Sequence, residues 1–248
     1  MTNEITEHGG KASLYITGFD GDNQSRLLAE IYDEVHFDGV IVLSSFKYSG
    51  KVKLPTIAFD SSSGIPGCSN LSTDLTIGMM EAVEHLASLG HKKIGFIGEI
   101  LTRSKEQLFR KALENKNIEI NEDFIFNIPS RFENIGREAG IRIAAMKERP
   151  TAIITAYDEV AIGLISTHNE NSINVPDDIS VIGMNDIPVA KYYSPPLTTV
   201  TTRIDEKCSF AVSNIFNRIY KNNMEKIEGE IELTSHLIVR KSTTRVKE

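Results

Sequence analysis

Residues Pro150 to Val200 read PTAIITAYDEVAIGLISTHNENSINVPDDISVIGMNDIPVAKYYSPPLTTV, and this stretch decides the fold. Thr151 to Thr155 is a short β-branched apolar run, Asp158 to about Asn169 repeats its apolar residues at helical spacing, and Ile179 to Gly183 is a second apolar run. The pattern is a β-α-β unit. Runs such as AIIT and ISVIG, apolar at consecutive positions, suit strands buried on both faces of a parallel sheet. In open α/β sheets ligands bind beyond the carboxyl ends of the strands, which here are Ala156-Tyr157-Asp158 and Met184-Asn185-Asp186.

The same alternation extends outward. Met1 to Gly10 reads as a helix tail closed by Gly-Gly. Ser13 to Thr17 (SLYIT) reads as a strand, Asn23 to about Val35 as a helix, Gly39 to Leu43 as a strand and Leu54 to Phe59 as another. Pro66 to Leu71 reads as a loop. A helix from about Leu75 to Leu89 carries Leu75, Met79, Val83, Leu86 and Leu89 three and four apart, with Gly90 closing it. Lys93 to Gly98 is a strand, Thr102 to about Asn115 a helix with Leu108, Ala112 and Leu113 inward, Phe124 to Ile128 a strand and Asn134 to Lys147 a helix. After the opening stretch, Asp205 to about Tyr220 is an amphipathic helix and Ile231 to Val239 closing strand material. The chain is α/β throughout.

The 248 residues are 40% hydrophobic and 25% charged, enough to bury a sizeable core. No apolar run approaches the roughly 20 residues of a membrane span, and the first thirty residues lack a signal-peptide pattern. A cytoplasmic location is the expectation. A formal charge of −7 argues against a stand-alone nucleic-acid binder, since such binding rests on neutralising phosphates. The loop cations Lys47, Lys51 and Lys53 and the tail cations Arg240, Lys241, Arg245 and Lys247 are expected to be solvated. Cys68 and Cys208 are isolated small hydrophobes, and His85 and His91 lack metal-ligand spacing. No catalytic motif is present, so neither enzyme activity, a cofactor nor a metal is expected.

The segments TAIITAYDEVAIG, VPDDISVIGMNDI, YYSPPLTTV and HLASLGHKKIGFIGE (His85 to Glu99) resemble the effector-binding region of the LacI/GalR family of bacterial transcription regulators, from about Ile5 to about Arg245. NDIPVAKYYSPPLTTV is further similar to the galactose and β-galactosidase operon repressors. The resemblance implies a type I periplasmic-binding-protein-like effector domain over 1–248. Two similar subdomains with parallel sheets flanked by helices would enclose a ligand cleft, one subdomain holding 1–91 and 201–234, the other 92–200 and 235–248. It also implies a homodimer that reaches operator DNA through a helix-turn-helix head. That head is not found in this chain, and the match begins after the family's first strand and most of its first helix. The expectation is a shortened chain, or one whose amino-terminal segment compensates, with a folding defect as the risk.

Sugars are held by planar polar side chains and by an aromatic face against the ring. The resemblance places Asn185 where the family commonly has an Asp that bonds sugar hydroxyls, with a structural cap as the alternative, and Asp186 beside it. Tyr157 stands where many members carry Asn and is either a stacking face or rim packing. Asp158 is either a contact or the cap of the following helix. Lys105, or Arg103 two residues earlier, takes the place of a family Arg, each with an exposed helix charge as the alternative. Asp74 matches a cleft Asp that is equally suited to capping, and Phe132, Tyr192 and Tyr193 are candidate aromatic walls. The implied function is effector binding and dimerisation in a sugar-responsive repressor, most simply for a galactoside. A soluble sugar receptor of a transport system is the alternative, and a sugar-processing enzyme a third reading.

Overall fold

The apolar runs form strands with both faces covered. In a computed structural model, which describes residues 1–17, 20–33, 36–43, 46–59, 65–220 and 230–247, the elements begin with helices α1 (Thr2–Glu7) and α2 (Gly21–Asp33). Strands β1 (Val40–Val42), β2 (Thr56–Phe59) and β3 (Ser69–Asp74) follow, then α3 (Thr76–Ser88), β4 (Ile94–Gly98), α4 (Arg103–Asn115) and β5 (Ile125–Asn127). The rest comprises α5 (Glu133–Ala144), β6 (Ala152–Thr155), α6 (Asp158–Glu170), β7 (Ser180–Asn185), β8 (Thr198–Thr201), α7 (Ile204–Tyr220), β9 (Glu230–Thr234) and β10 (His236–Ile238). They group into two compact units, Met1–Thr73 with Arg203–Leu233, and Asp74–Thr202 with Thr234–Glu248.

The first unit carries a sheet in the order β1-β2-β3-β9, with β1 to β3 parallel. Leu28 and Tyr32, four apart on α2, pack with Val42, Tyr48 and Ala58. On α7, Cys208, Ala211 and Ile215 cover Ile57, Phe59 and Leu71. The expected strand Ser13–Thr17 does not form. A strand exists through pairing, the sheet does not include this segment, and Leu14 and Ile16 are left 79% and 86% exposed. Conversely, β3 lies within the stretch read as a loop and its continuation, because SNLSTD alternates small and polar residues and lacks an apolar run. The ends of the expected helix Asn23–Val35 and strand Gly39–Leu43 adjoin residues outside the described ones.

The second unit is a three-layer sandwich. Its sheet runs β10-β8-β7-β6-β4-β5, parallel except for β10 against β8. Successive strand residues face opposite layers: Ile97, Ile153 and Val181 pack against α5 and α6, whereas Phe96, Ile154 and Ile182 pack against α3 and α4. On α4 Phe109, Ala112 and Leu113 are buried and Leu108 packs partly buried against the same core, so Phe109 joins the expected inward residues. Helices α5 and α6 approach at two glycines. A Cβ on Gly136 would lie 2.0 Å from the Val160 carbonyl oxygen, and one on Gly163 would lie 2.1 Å from that of Glu133.

The unit boundary corrects the expected division at His91-Lys92. The stripe Met79, Ala82, Val83 and Leu86 of α3 packs with Ile94, Phe96, Phe109 and Val200, so Asp74 to His91 belong to the second unit. The other two crossings fall at 202/203 and 233/234, within two residues of expectation.

Candidate functional site

Chain order and sheet order disagree at one place in the second unit. From β4 the chain moves outward to β5 and then returns to β6 on the other side of β4, which makes the β4/β6 carboxyl ends a topological switch point. Glu99 follows β4 there, and Tyr157 follows β6.

The Tyr157 hydroxyl donates to Glu99 Oε1 at 3.1 Å. Arg131 Nε lies 3.0 Å from the same oxygen, as an ion pair rather than an aligned hydrogen bond. Lys105 Nζ sits 4.5 Å from the centre of the Tyr157 ring and donates to the Ala156 carbonyl at 2.8 Å. Phe132 completes the group, its ring centre 6.0 Å from that of Tyr157 and 4.9 Å from the Arg131 guanidinium carbon. Glu99 is buried at 3% exposure and forms a capping box with Thr102 in the turn leading into α4, so its carboxylate is held from two sides. Burial, reinforced by the Glu99 charge, pushes the Tyr157 phenol up to about 12 and keeps it a donor. Phe132 stays 43% exposed at the entrance to α5 with φ of 54°, a conformation disfavoured for any side chain with a Cβ.

Of the residues expected to bind, Tyr157, Lys105 and Phe132 are thus brought together, with Glu99 and Arg131 as members that the sequence reading passed over. The strand-end rule that points to Tyr157 after AIIT points equally to Glu99 after GFIG. Arg131 had only its place beside Phe132 to mark it.

Asn185 ends β7 with φ of 113° and is half-buried, its amide making no hydrogen bond among the described residues. Asp186 follows at φ of 55°, but its Oδ1 accepts from Arg240 Nη2 at 2.6 Å while Arg240 Nη1 donates to the Leu197 carbonyl at 2.8 Å. It is a latch, and the tail cation expected to be solvated is its partner. Asp158 is fully buried. Oδ2 accepts from Ile187 N at 2.8 Å and Oδ1 from Thr199 Oγ1 at 2.5 Å, so it neither caps α6 nor faces a ligand. Burial pushes its carboxyl up to about 6, against the lowering effect of those two bonds. Asp74 Oδ1 accepts from Thr76 N at 2.8 Å in the first turn of α3, the capping alternative, and its pKa is lowered by its bonds to Thr76. Arg103 is exposed at the start of α4 and joins no member of the cluster. Tyr192 is exposed, and Tyr193 donates to the Ile162 carbonyl at 3.3 Å.

Aromatic faces flanked by Arg, Lys and a fixed carboxylate can stack a ring and bond its polar edge, which is recognition chemistry. Among the described residues no group of His, Cys, Asp and Glu can hold a metal, and no helix is long and apolar enough to cross a membrane. A parallel sheet presenting such a cluster at its switch point defines a small-molecule-binding α/β protein.

A family model for the periplasmic binding protein-like domain matches residues 83–243. The chain belongs to that family, in the form taken by the effector-binding region of LacI/GalR regulators. It is 33% identical over 217 residues to the HTH-type transcriptional repressor PurR of Mannheimia succiniciproducens, covering 83% of this chain and 60% of that protein. The PurR of Photobacterium profundum is 32% identical over 228 residues, 88% of this chain and 66% of its own length. The chain therefore spans less than two thirds of these relatives. A LacI family regulator from Enterococcus faecium with bound ribose superposes with a TM-score of 0.82 at 24% identity, covering 99% of this chain and 91% of that one. The complex of the regulator CelR with cellobiose gives 0.78 at 23%, with 97% and 76% covered. These likenesses are of fold.

Proposed function

We propose that the chain is the effector-sensing part of a transcriptional repressor that responds to a small sugar, a galactoside in the first instance, and that binds this effector without transforming it. The observation that carries the reading is the Glu99–Tyr157–Lys105–Phe132 cluster at the switch point, where an aromatic face and polar groups converge. The sugars bound to two structural neighbours support a sugar effector. In this reading the protein acts in the cytoplasm as a homodimer, and the effector shifts the balance between two conformations that differ in affinity for operator DNA.

The test is a thermal melt with millimolar galactose, lactose, glucose, ribose and a purine base, on the wild type and on Tyr157→Ala. A ligand at a hundred times its dissociation constant stabilises the folded state by about 2.7 kcal/mol, a visible shift. The reading expects one sugar to act on the wild type and to lose most of its effect in the variant. A folded protein indifferent to every sugar refutes the sugar. A sugar shift that survives Tyr157→Ala refutes the site.

A further inference from the structure

At the opposite, amino-terminal edge of the second unit's sheet lies a cavity of about 470 Å³, within the range of small-molecule sites. It opens between the segment before β6, the loop after α6 and the chain's last residues. Arg149, Arg245 and Lys247 line it, with Asp177, Asp178 and Ser172. Five arginines of this unit, Arg110, Arg131, Arg137, Arg142 and Arg240, each hold a carboxylate. Arg149 and Arg245, both exposed, make, like Arg103, neither a hydrogen bond nor an ion pair among the described residues, and these two line one cavity.

The acidic residues in the wall make no direct ion pair with these arginines among the described residues, although the Asp178 pKa is lowered first by the Asn174 backbone N–H and, as the smallest cause, by the Arg149 charge. Asp178 Oδ2 is taken by Asn174, accepting from its backbone N at 2.7 Å and its Nδ2 at 3.0 Å. Asp177 reaches Lys247 only at 3.8 Å, with both side chains about two thirds exposed, a contact of little energy. Nearby His168 is fully buried with neither ring nitrogen partnered, and the Arg149 charge acts on it unfavourably. Two unpaired guanidiniums present planar donor forks of the kind that grip carboxylate or phosphate oxygens, and a hydroxyl stands beside them.

We propose that this cavity is a second binding site, for a small molecule carrying an oxyanion group, with a phosphate monoester as the best match to two forks. It is distinct from the effector site: β7 alone, six residues at about 3.3 Å each, separates the two edges by about 20 Å. Its occupant would also grip a strap that serves the other edge. Arg245 belongs to the closing segment in which Arg240 holds Asp186, and Ser242 bonds Val181 and Thr198 between them.

The experiment is calorimetric titration of the whole chain with inorganic phosphate, and separately with acetate, at ionic strength held constant with sodium chloride. The variants are Arg149→Ala/Arg245→Ala and, as a charge-matched control, Arg137→Ala/Arg142→Ala on the exposed face of α5. Phosphate is expected to bind the wild type and the control within about twofold of each other and the first variant at least about tenfold more weakly. Amide exchange of residues 240–247 should slow with phosphate in the wild type. Acetate binding as tightly, with the same dependence on Arg149 and Arg245, supports the oxyanion site and assigns it to carboxylates. Equal weakening in both double variants, or no phosphate heat in the wild type, overturns the proposal.

Discussion

Replacing His168 by Leu should stabilise the second unit, and should do so more at pH 5 than at pH 7.5. The imidazole is fully buried on α6 with both nitrogens unpartnered. Burial first, and the Arg149 charge second, push its pKa down to about 4 from 6.5. Because the folded value lies below the unfolded one, the unfolded chain binds the extra proton between about pH 6.5 and pH 4, and stability is lost as pH falls through that window. At pH 5 the deficit relative to pH 7.5 comes to about 2 kcal/mol. Leu abolishes it and, at either pH, also removes the cost of unpaired polar atoms, about 1–3 kcal/mol. Asp158 slopes the other way, so the wild-type pH profile alone masks the effect, whereas the variant-minus-wild-type difference cancels Asp158. The assay is urea unfolding followed by circular dichroism at the two pH values. A difference that is the same at pH 5 and pH 7.5 would refute the reasoning, since it would mean that the folded state accommodates the imidazolium.

Asp158→Asn gives the mirror image. The folded carboxyl near 6 lies above the unfolded 3.8, so burying its charge costs about 3 kcal/mol above pH 6 and little below pH 4. Asn can accept from Ile187 N and donate to Thr199 Oγ1, and its stability relative to wild type should rise between pH 4 and pH 7 in the same assay. Gly136→Ala should cost about 3 kcal/mol or more, because its Cβ meets the Val160 backbone rather than a movable side chain; a thermal melt near the wild-type midpoint would contradict the packing. Glu99→Gln should lower the Tyr157 phenol from about 12, since it removes the carboxylate charge that reinforces burial. An ultraviolet pH titration referenced to Tyr157→Phe reads this, and an unchanged phenol would separate Glu99 from Tyr157.

Much of the second unit was legible because its signals are local. AIIT and ISVIG declare buried parallel strands by composition, and β6, α6 and β7 fall within two residues of the expected bounds. SLYIT is also a short run of strand-favouring residues and no strand forms, because pairing is decided by a neighbour elsewhere in the chain. The side chains followed the same division. Tyr157 could be found by its position after a strand, whereas the roles of Asp158 depend on Ile187 and Thr199, 29 and 41 residues away. Adjacency to a helix start suggested a cap, and tertiary partners overrode it.

Those partners also explain why an aromatic and cationic cluster, rather than a row of acids, faces the carboxyl edge. Three of the acidic candidates are consumed in building the scaffold: Asp74 ties the first turn of α3, Asp158 ties the turn after β7, and Asp186 ties the closing strap through Arg240. The strap is anchored again at the far edge, where His91 Nε2 meets the Thr244 carbonyl at 2.9 Å and His85 Nε2 meets Thr243 Oγ1 at 2.9 Å. Burial lowers the pKa of both histidines, which favours the neutral rings that these contacts use. With its acids locked and its tail fixed at both ends, the sheet holds the left-handed backbone at Asn185 and Asp186 in place, and the Asn185 amide is left without a hydrogen-bond partner among the described residues. In the proposed function, effector recognition then falls to Asn185 and to the Glu99–Tyr157 cluster, at the carboxyl ends of β7, β4 and β6 of one sheet.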